Sequence, residues 1–549
     1  MATTITPFLV NIDPSTLNDF KQRLQHARWS DPISLPEAPN NDWSYGTSHQ
    51  YLQRVQQYVA SPSFDFLSVQ SRLNSIPQFT ARVPNTQGAI HHDKTLHYLH
   101  QPATDGSPGI PLLLLHGWPS TPFNFIDIIP LLAQQGFDVV APTIPGYGFS
   151  SAPTEPGFGA FQCAHVFQSL MVDVLGYEDG YVVQGGDWGS IIGRCLANQY
   201  PTHVLAYHTN MPLPLPPTPV SSTMGDGPRF VYTLAMMAWN TLLPTLSLSK
   251  AEQQGLEQNL KYGTYELGYL QLQATKPDSL GYGLNDSPLG LLSWISEKHH
   301  GWSDHGEGVE EVGSDLPISM DHLLTTALVY WSTGSITSSM RFYYETLQMT
   351  PFAKNNGTTT GTTRTASTGG DIRNGITNQF VAVPTGILVA KDLIQAPRAW
   401  VEQAHNVVQY TDLRGKDVGG HFLKLENPKA VVKDLHRFVF ETLGATKDGH
   451  GIEVLKERRR MALMKEKVGA CCLPGASLKI CVCCSCCNCC WWYVNLTNVF
   501  CRFDNLISLF VVHFISPLRA PQQDRSNRMS KVMEMVLFGT VGLLVNSRL

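Results

Sequence analysis

Apolar residues recur along this chain in two periods. Within the first 95 residues, Leu17, Phe20 and Leu24 form a helical stripe after the helix start Asp13-Pro14-Ser15-Thr16, and the segment as a whole is polar and helical. Trp29, Trp43 and Tyr45 are expected to anchor it by packing. From about residue 96 the pattern changes to short apolar runs separated by helix-length stretches: Pro111 to Leu115, Asp138 to Ala141, Tyr181 to Val183 and Leu205 to Thr209. From Pro212 to about Phe352 the chain is proline-rich, then helical, without strand-like runs. Sheet character returns at Pro384 to Val389 and Val407 to Tyr410, and Pro428 to Leu443 reads as a closing helix. Strands alternating with helices predict an α/β fold with a mostly parallel sheet flanked by helices, and chemistry at the carboxyl ends of its strands.

Four regions follow. Residues 1–95 are an N-terminal segment, 96–211 with 371–443 an α/β core, and 212–370 a helical lid. That lid ends in the Thr/Gly-rich loop Asn355 to Gly370, expected to be flexible. Residues 444–549 are a tail of another kind, with a basic stretch at Lys456 to Arg460 and a cysteine run from Cys481 to Cys490. Paired C-x-x-C units separated by a fold's worth of residues, as structural zinc requires, are missing from that run. A metal cluster, a palmitoylated anchor and a disordered segment without an evolved role compete, and the last is favoured. Asn495-Leu496-Thr497 is a glycosylation sequon by pattern alone.

Composition narrows the function. A 549-residue chain with 43% hydrophobic residues has material for a large core, and a net charge of −5 gives no basic footprint for nucleic acid. A small-molecule partner is the expectation. Only Cys163 and Cys195 precede residue 471, which fits a reducing compartment without a disulfide framework. Met1 to Pro7 has no basic region followed by an apolar one, and no apolar run is long enough to span a bilayer, so a cytoplasmic location is expected.

The candidate chemistry centres on Gly185-Gly186-Asp187-Trp188-Gly189, between the strand Tyr181 to Val183 and a helix from about Ser190. Small residues two positions either side of a nucleophile permit a strained strand-to-helix turn that exposes the central side chain. Here that residue is a carboxylate, ionised at neutral pH and able to attack without a base. A lone Gly-x-Asp-x-Gly is more often a surface turn, so its partners decide. Asp392 follows the strand Pro384 to Val389, and His421 lies in Gly419-Gly420-His421-Phe422, giving the chain order nucleophile, acid, histidine. In that arrangement His421 draws a proton from the water that cleaves an ester on Asp187, and Asp392 orients the ring. Asp412 and Asp417 are rival acids. The backbone N–H groups of Trp118, in His116-Gly117-Trp118-Pro119, and of Trp188 are the candidate oxyanion donors.

With these motifs the sequence resembles the epoxide hydrolases of the α/β-hydrolase superfamily, in the branch of the microsomal, fungal and juvenile-hormone enzymes. The resemblance covers roughly residues 5–442. It includes Asp42-Trp43-Ser44-Tyr45-Gly46, the lid stretch Gly268 to Pro277 with Gly281 to Pro288, and Ser339-Met340-Arg341-Phe342-Tyr343. It implies an N-terminal segment that wraps core and lid, a possible homodimer, no cofactor and no metal. It also implies two lid tyrosines, Tyr269 and Tyr343, that protonate the opening ring. A tyrosine with a reference pKa near 10 stays protonated at neutral pH and suits that task. Tyr344 rivals Tyr343, and Tyr265 rivals Tyr269 more weakly. The implied activity is hydrolysis of apolar epoxides to vicinal diols through an ester on Asp187. Haloalkane dehalogenation, serine esterase chemistry through Ser190 and a non-catalytic binding protein are the alternatives. Trp239, Trp294 and Trp331 are candidate pocket residues.

Overall fold

The computed structural model describes residues 4–33, 43–83, 95–213, 248–306, 317–347, 379–414, 419–447, 450–471, 494–496 and 512–514. Two compact units divide the chain, residues 1–463 and 464–549.

The first unit is built on a nine-stranded sheet among the described residues. Its strands are β1 (Ile5–Phe8), β2 (Gln78–Arg82), β3 (Thr95–Gln101), β4 (Ile110–Leu115), β5 (Phe137–Pro142), β6 (Tyr181–Gly185), β7 (Val204–Thr209), β8 (Val381–Val389) and β9 (His405–Asp412). The spatial order is β1-β2-β3-β5-β4-β6-β7-β8-β9. From β5 to β9 every pairing is parallel, while β1, β2 and β3 join antiparallel at one edge. Every residue of β4, β6, β7 and β8 is buried, because helices cover both faces of a parallel sheet, and so these strands read as unbroken apolar runs. Order along the sheet reverses around β4, whose carboxyl end lies beside that of β6 and opens the crevice where ligands of such sheets bind.

The N-terminal segment departs from the expectation of a purely helical region. It supplies β1 and β2 to the sheet edge. Their signal is weak for a physical reason: β1 is four residues long and mostly exposed, and β2 buries Gln78 rather than a large apolar residue. The helix Pro14–Gln25 does bury Phe20 and Leu24, with Leu17 half-buried. Trp29 and Trp43 pack against the core, but Tyr45 is 75% exposed and is not an anchor. It sits in a tight turn closed by the Gly46 N–H donating to the Trp43 carbonyl at 3.0 Å.

This segment also grips the lid. Arg23 Nη1 donates to Asp286 Oδ1 at 2.7 Å, Thr47 Oγ1 to the Ser293 carbonyl at 2.6 Å, and Tyr58 OH to Asp321 Oδ1 at 2.7 Å. The described lid comprises the helices Lys250–Tyr265, Gly268–Thr275, Pro277–Asp286, Pro288–Gly301, Met320–Thr333 and Ile336–Leu347. Trp294 and Trp331 are partly buried against the core, whereas Trp239, the Thr/Gly-rich loop and Asp417 lie outside the described residues.

Beyond residue 444 the described chain continues in a helix. The helix Gly451–Cys471 begins inside the first unit, with Leu455 fully buried and Ile452 packed on the core. The basic run that follows masks this apolar pair in the sequence. In the second unit Val494–Leu496 pairs antiparallel with Val512–Phe514, and Cys481 to Cys490 lie outside the described residues. Among the described residues no helix is long and apolar enough to cross a membrane, and no group of His, Cys, Asp and Glu could hold a metal ion. Cys163 and Cys195 are buried free thiols.

Candidate active site

Asp187 caps the helix Trp188–Gln199 directly after β6, with φ 51° and ψ −129°. Among the described residues it is the one non-glycine residue with positive φ. Such a conformation costs on the order of 1–3 kcal/mol and has to be held by its surroundings. The flanking glycines have concrete reasons. A Cβ on Gly185 would lie 2.1 Å from the Gly189 carbonyl oxygen, and one on Gly189 would lie 2.5 Å from that of Leu115. A Cβ on Gly117 would meet Asp187 Oδ1 at 2.0 Å, so the loop after β4 approaches the carboxylate as closely as only glycine allows.

That approach serves the carboxylate. The Trp118 N–H donates to Asp187 Oδ1 at 2.7 Å, and the adjacent Trp188 N–H favours the ionised carboxylate. Burial pushes the Asp187 carboxyl above the usual range, against the opposing pull of His421 and these two N–H groups. The other oxygen, Oδ2, lies 3.6 Å from His421 Nε2.

His421 is fixed on both sides. Its Nδ1 donates to Asp392 Oδ1 at 2.7 Å, and its backbone N–H donates to the Trp302 carbonyl at 2.8 Å. Nδ1–H toward a carboxylate leaves Nε2 as the lone-pair nitrogen facing Asp187. Glu426 braces the loop by accepting the N–H groups of Asp304, Gly420 and Phe422 at 2.8, 2.9 and 3.0 Å. A Cβ on Gly420 would sit 2.5 Å from the Trp302 carbonyl, which explains the second glycine before the histidine. Burial would lower the His421 pKa, but Asp392, then Asp187 and Glu426, outweigh it and raise the pKa above the ordinary value.

Of the two candidate acids among the described residues, Asp392 and Asp412, the structure brings Asp392 to the histidine. Asp392 is 2% exposed and also accepts the Leu393 N–H at 2.7 Å. Asp412 is engaged by Arg414 at 2.6 Å instead. Ser190 is buried in the helix after the elbow, its hydroxyl donating to the Met211 carbonyl at 2.6 Å, which leaves it no role as an esterase nucleophile.

Two lid helices bring Tyr269 and Tyr343 over this centre. Their rings are 6.1 Å apart at 80°. Tyr269 stacks on Trp118 at 5.7 Å, and Tyr343 meets Trp118 edge-on at 5.9 Å and Trp188 at 4.6 Å. Burial first, and the Asp187 charge among lesser causes, hold both phenols well above their ordinary pKa, so both remain protonated. The Tyr343 hydroxyl is buried and, among the described residues, has no hydrogen-bond partner. Tyr344 is half-buried on the same helix outside this ring cluster, and Tyr265 is 80% exposed.

Sequence reasoning missed several neighbours. Tyr262 OH lies 3.1 Å from Tyr269 OH, Trp302 packs on both Tyr269 and His421, and Lys298 lies over the Tyr269 ring. A cavity beside Asp187 and His421 is lined also by Ser120, Asn124, Phe125 and Lys424. Burial drives the Lys424 pKa down to about 8, against the attraction of Asp392 and Asp187. The spacing of Glu426 from His421 was the one available signal among these, since a carboxylate one turn beyond a glycine-flanked histidine can reach back to the loop's N–H groups.

Known proteins resemble this chain over most of its length. Residues 5–125 match the family described as the epoxide hydrolase N terminus, and residues 110–257 match the alpha/beta hydrolase fold. Epoxide hydrolase 1 of Oryctolagus cuniculus is 31% identical over 454 residues, covering 79% of this chain and 88% of that one. Juvenile hormone epoxide hydrolase of Bombyx mori is 33% identical over 457 residues, covering 80% and 87%. The crystal structure of the Bombyx mori enzyme superposes with a TM-score of 0.64 at 28% identity, covering 84% of this chain and 96% of that chain. The structure of Aspergillus niger epoxide hydrolase gives 0.61 at 28%, covering 80% and 97%. With its fold, its elbow and these relatives in agreement, the chain belongs to the epoxide hydrolase family of α/β hydrolases.

Proposed function

We propose that this enzyme converts apolar epoxides to vicinal diols in two steps through a covalent ester on Asp187. The observation that carries the reading is the placement of the two carboxylate oxygens. Oδ1 accepts the Trp118 N–H at 2.7 Å, and Oδ2 faces His421. Oδ2 attacks an epoxide carbon, the C–O bond of the ring breaks, and the ring oxygen leaves as an alkoxide. Alkoxides are poor leaving groups, so Tyr269 and Tyr343 hydrogen-bond that oxygen and one supplies a proton. His421 Nε2 then deprotonates a water, which attacks the Asp187 carboxyl carbon. The oxyanion forms on Oδ1, which accepts the Trp118 N–H, and the neighbouring Trp188 N–H serves as the second donor in this reading. Collapse breaks the bond from Oδ2 to the carboxyl carbon, the departing diol oxygen takes the proton of the newly added hydroxyl, and the proton on His421 restores the tyrosine. Asp392 holds the His421 tautomer and stabilises its cation. No step calls for a metal or an organic cofactor. The aromatic rings of Trp118, Trp188 and Trp302 around the tyrosines favour an apolar substrate.

Removing both phenols tests the first step. Tyr269→Phe and Tyr343→Phe are each expected to slow ester formation by roughly 10²-fold, and the double variant to lose it almost completely. Stopped-flow tryptophan fluorescence in single turnover reports this step. Undiminished ester formation in the double variant would remove the tyrosines from the mechanism.

The pH dependence has a direction of its own. His421 must be neutral to act as a base, so ester hydrolysis fails as pH falls through its pKa. In the resting enzyme Asp187 helps raise that pKa, and esterification abolishes the Asp187 charge. The acid limb of ester hydrolysis is therefore expected below the His421 pKa that NMR reports for the free enzyme. A limb at or above the free-enzyme value contradicts this coupling.

A further inference from the structure

The two lid phenols are not equivalent. Tyr343 is bordered by aromatic rings, Trp118, Trp188 and Tyr269, and its hydroxyl has no hydrogen-bond partner among the described residues. Around Tyr269 there is a cation. Lys298, on the helix Pro288–Gly301, is only 3% exposed, and its Nζ lies 4.4 Å from the centroid of the Tyr269 ring. The same ammonium lies 5.5 Å from the Trp302 ring and 5.9 Å from the Trp294 ring, and it is paired with Glu297. A second hydroxyl, Tyr262 OH, lies 3.1 Å from Tyr269 OH.

A lysine is seldom buried in an aromatic nest, since the ammonium gives up water that ring faces replace only in part. Its charge does something specific here. Proton donation from Tyr269 to the alkoxide leaves a phenolate, and burial, then Tyr262 and the nearby Asp187 carboxylate, oppose that anion. An ammonium against the same ring is attracted more strongly to a phenolate than to a neutral phenol, so it lowers the cost of giving up the proton. The gain appears in the transition state rather than the ground state. Ring opening also turns the Asp187 carboxylate into a neutral ester, which withdraws the opposing charge as the proton moves.

We infer that Lys298 is a positioning residue that makes Tyr269 the proton donor in ring opening, leaving Tyr343 to orient the ring oxygen by hydrogen bonding. The inference rests on the proposed role of Tyr269. In proton balance, the O–H bond of Tyr269 breaks as the new O–H of the hydroxyalkyl ester forms. The phenolate persists beside Lys298 and Tyr262 until the proton released through His421 restores it.

The test separates the two steps of turnover. Lys298→Met is expected to slow single-turnover ester formation about ten- to thirtyfold, the size of a desolvated cation–π contact, and to leave the decay of the ester unchanged. Lys298→Arg, which keeps the cation, should recover most of the rate. Lys298→Gln gives the same measurement if the Met variant does not fold. Across para-substituted styrene oxides the loss should be greatest where ring opening leads carbon bonding and demands the earliest protonation. A double-variant cycle decides the route: in a Tyr269→Phe background, Lys298→Met should have no further effect on ester formation. An equal loss in that background, or equal slowing of both steps, overturns the inference. If Tyr269→Phe alone leaves ester formation unchanged, the assignment of Tyr269 fails independently of Lys298.

Discussion

Asp187→Ala is expected to abolish diol formation, with a loss on the order of ten-thousand-fold or more, because among the described residues no other side chain occupies the attacking position. Asp392 is turned toward His421 and buried behind it, and Ser190 is engaged with the Met211 carbonyl. A more diagnostic result comes from isotope placement. In single turnover in ¹⁸O water, the ring opens onto an oxygen that Asp187 already carries. That oxygen leaves in the diol, and the solvent oxygen enters the Asp187 carboxylate. Mass analysis of the peptide containing Asp187 should therefore find label, and the first-turnover diol should lack it. Label confined to the diol would falsify the covalent mechanism and favour direct attack by water. The same variant is informative in a second way. Removal of a carboxylate whose charge is opposed by burial should leave the fold at least as stable by thermal unfolding, since a group kept for function at a cost in stability is offset elsewhere in the structure.

The second large effect is expected from His421→Gln. Attack by Asp187 needs no base, so ester formation should continue, while its hydrolysis slows on the order of a thousandfold without a general base. Addition of an epoxide expels nothing, so the intact enzyme should gain the full mass of the substrate and stay in that state. A burst of one equivalent followed by near-silence is the kinetic counterpart. An enzyme whose mass is unchanged after substrate addition would remove His421 from the second step. The same experiment separates this chemistry from haloalkane dehalogenation, in which halide loss would make the mass gain smaller than the substrate.

Much of this centre is legible in the sequence because backbone sterics demand particular residues. Gly185, Gly189 and Gly117 each face an atom that a Cβ would overlap, so the motifs around Asp187 and Trp118 record contacts between β4, β6 and the helix that follows. The interior strands are readable for a similar reason, since burial on both faces leaves them continuously apolar. What stayed hidden lies where polar and apolar signals cancel. β1 and β2 sit at an edge and bury little. Lys298 stands in Glu297-Lys298-His299-His300, which looks like the solvated end of a helix, yet Lys298 and His299 are buried. Tyr262 and Tyr269 are seven residues apart across a helix break, so no periodicity announces that their hydroxyls meet. The pairing of Asp392 rather than Asp412 with His421 likewise depends on Arg414 occupying the latter.

The bonds from Arg23, Thr47 and Tyr58 to the lid have a consequence for inheritance of selectivity. In the proposed mechanism the distance from each phenol to the two carbons of an epoxide decides which carbon is attacked, and the seating of the lid helices sets that distance. Those helices are seated by residues more than 200 positions earlier in the chain. Regioselectivity and enantioselectivity are thus properties of two distant stretches read together, and a lid transplanted between relatives without its N-terminal partner would carry its tyrosines but not their aim.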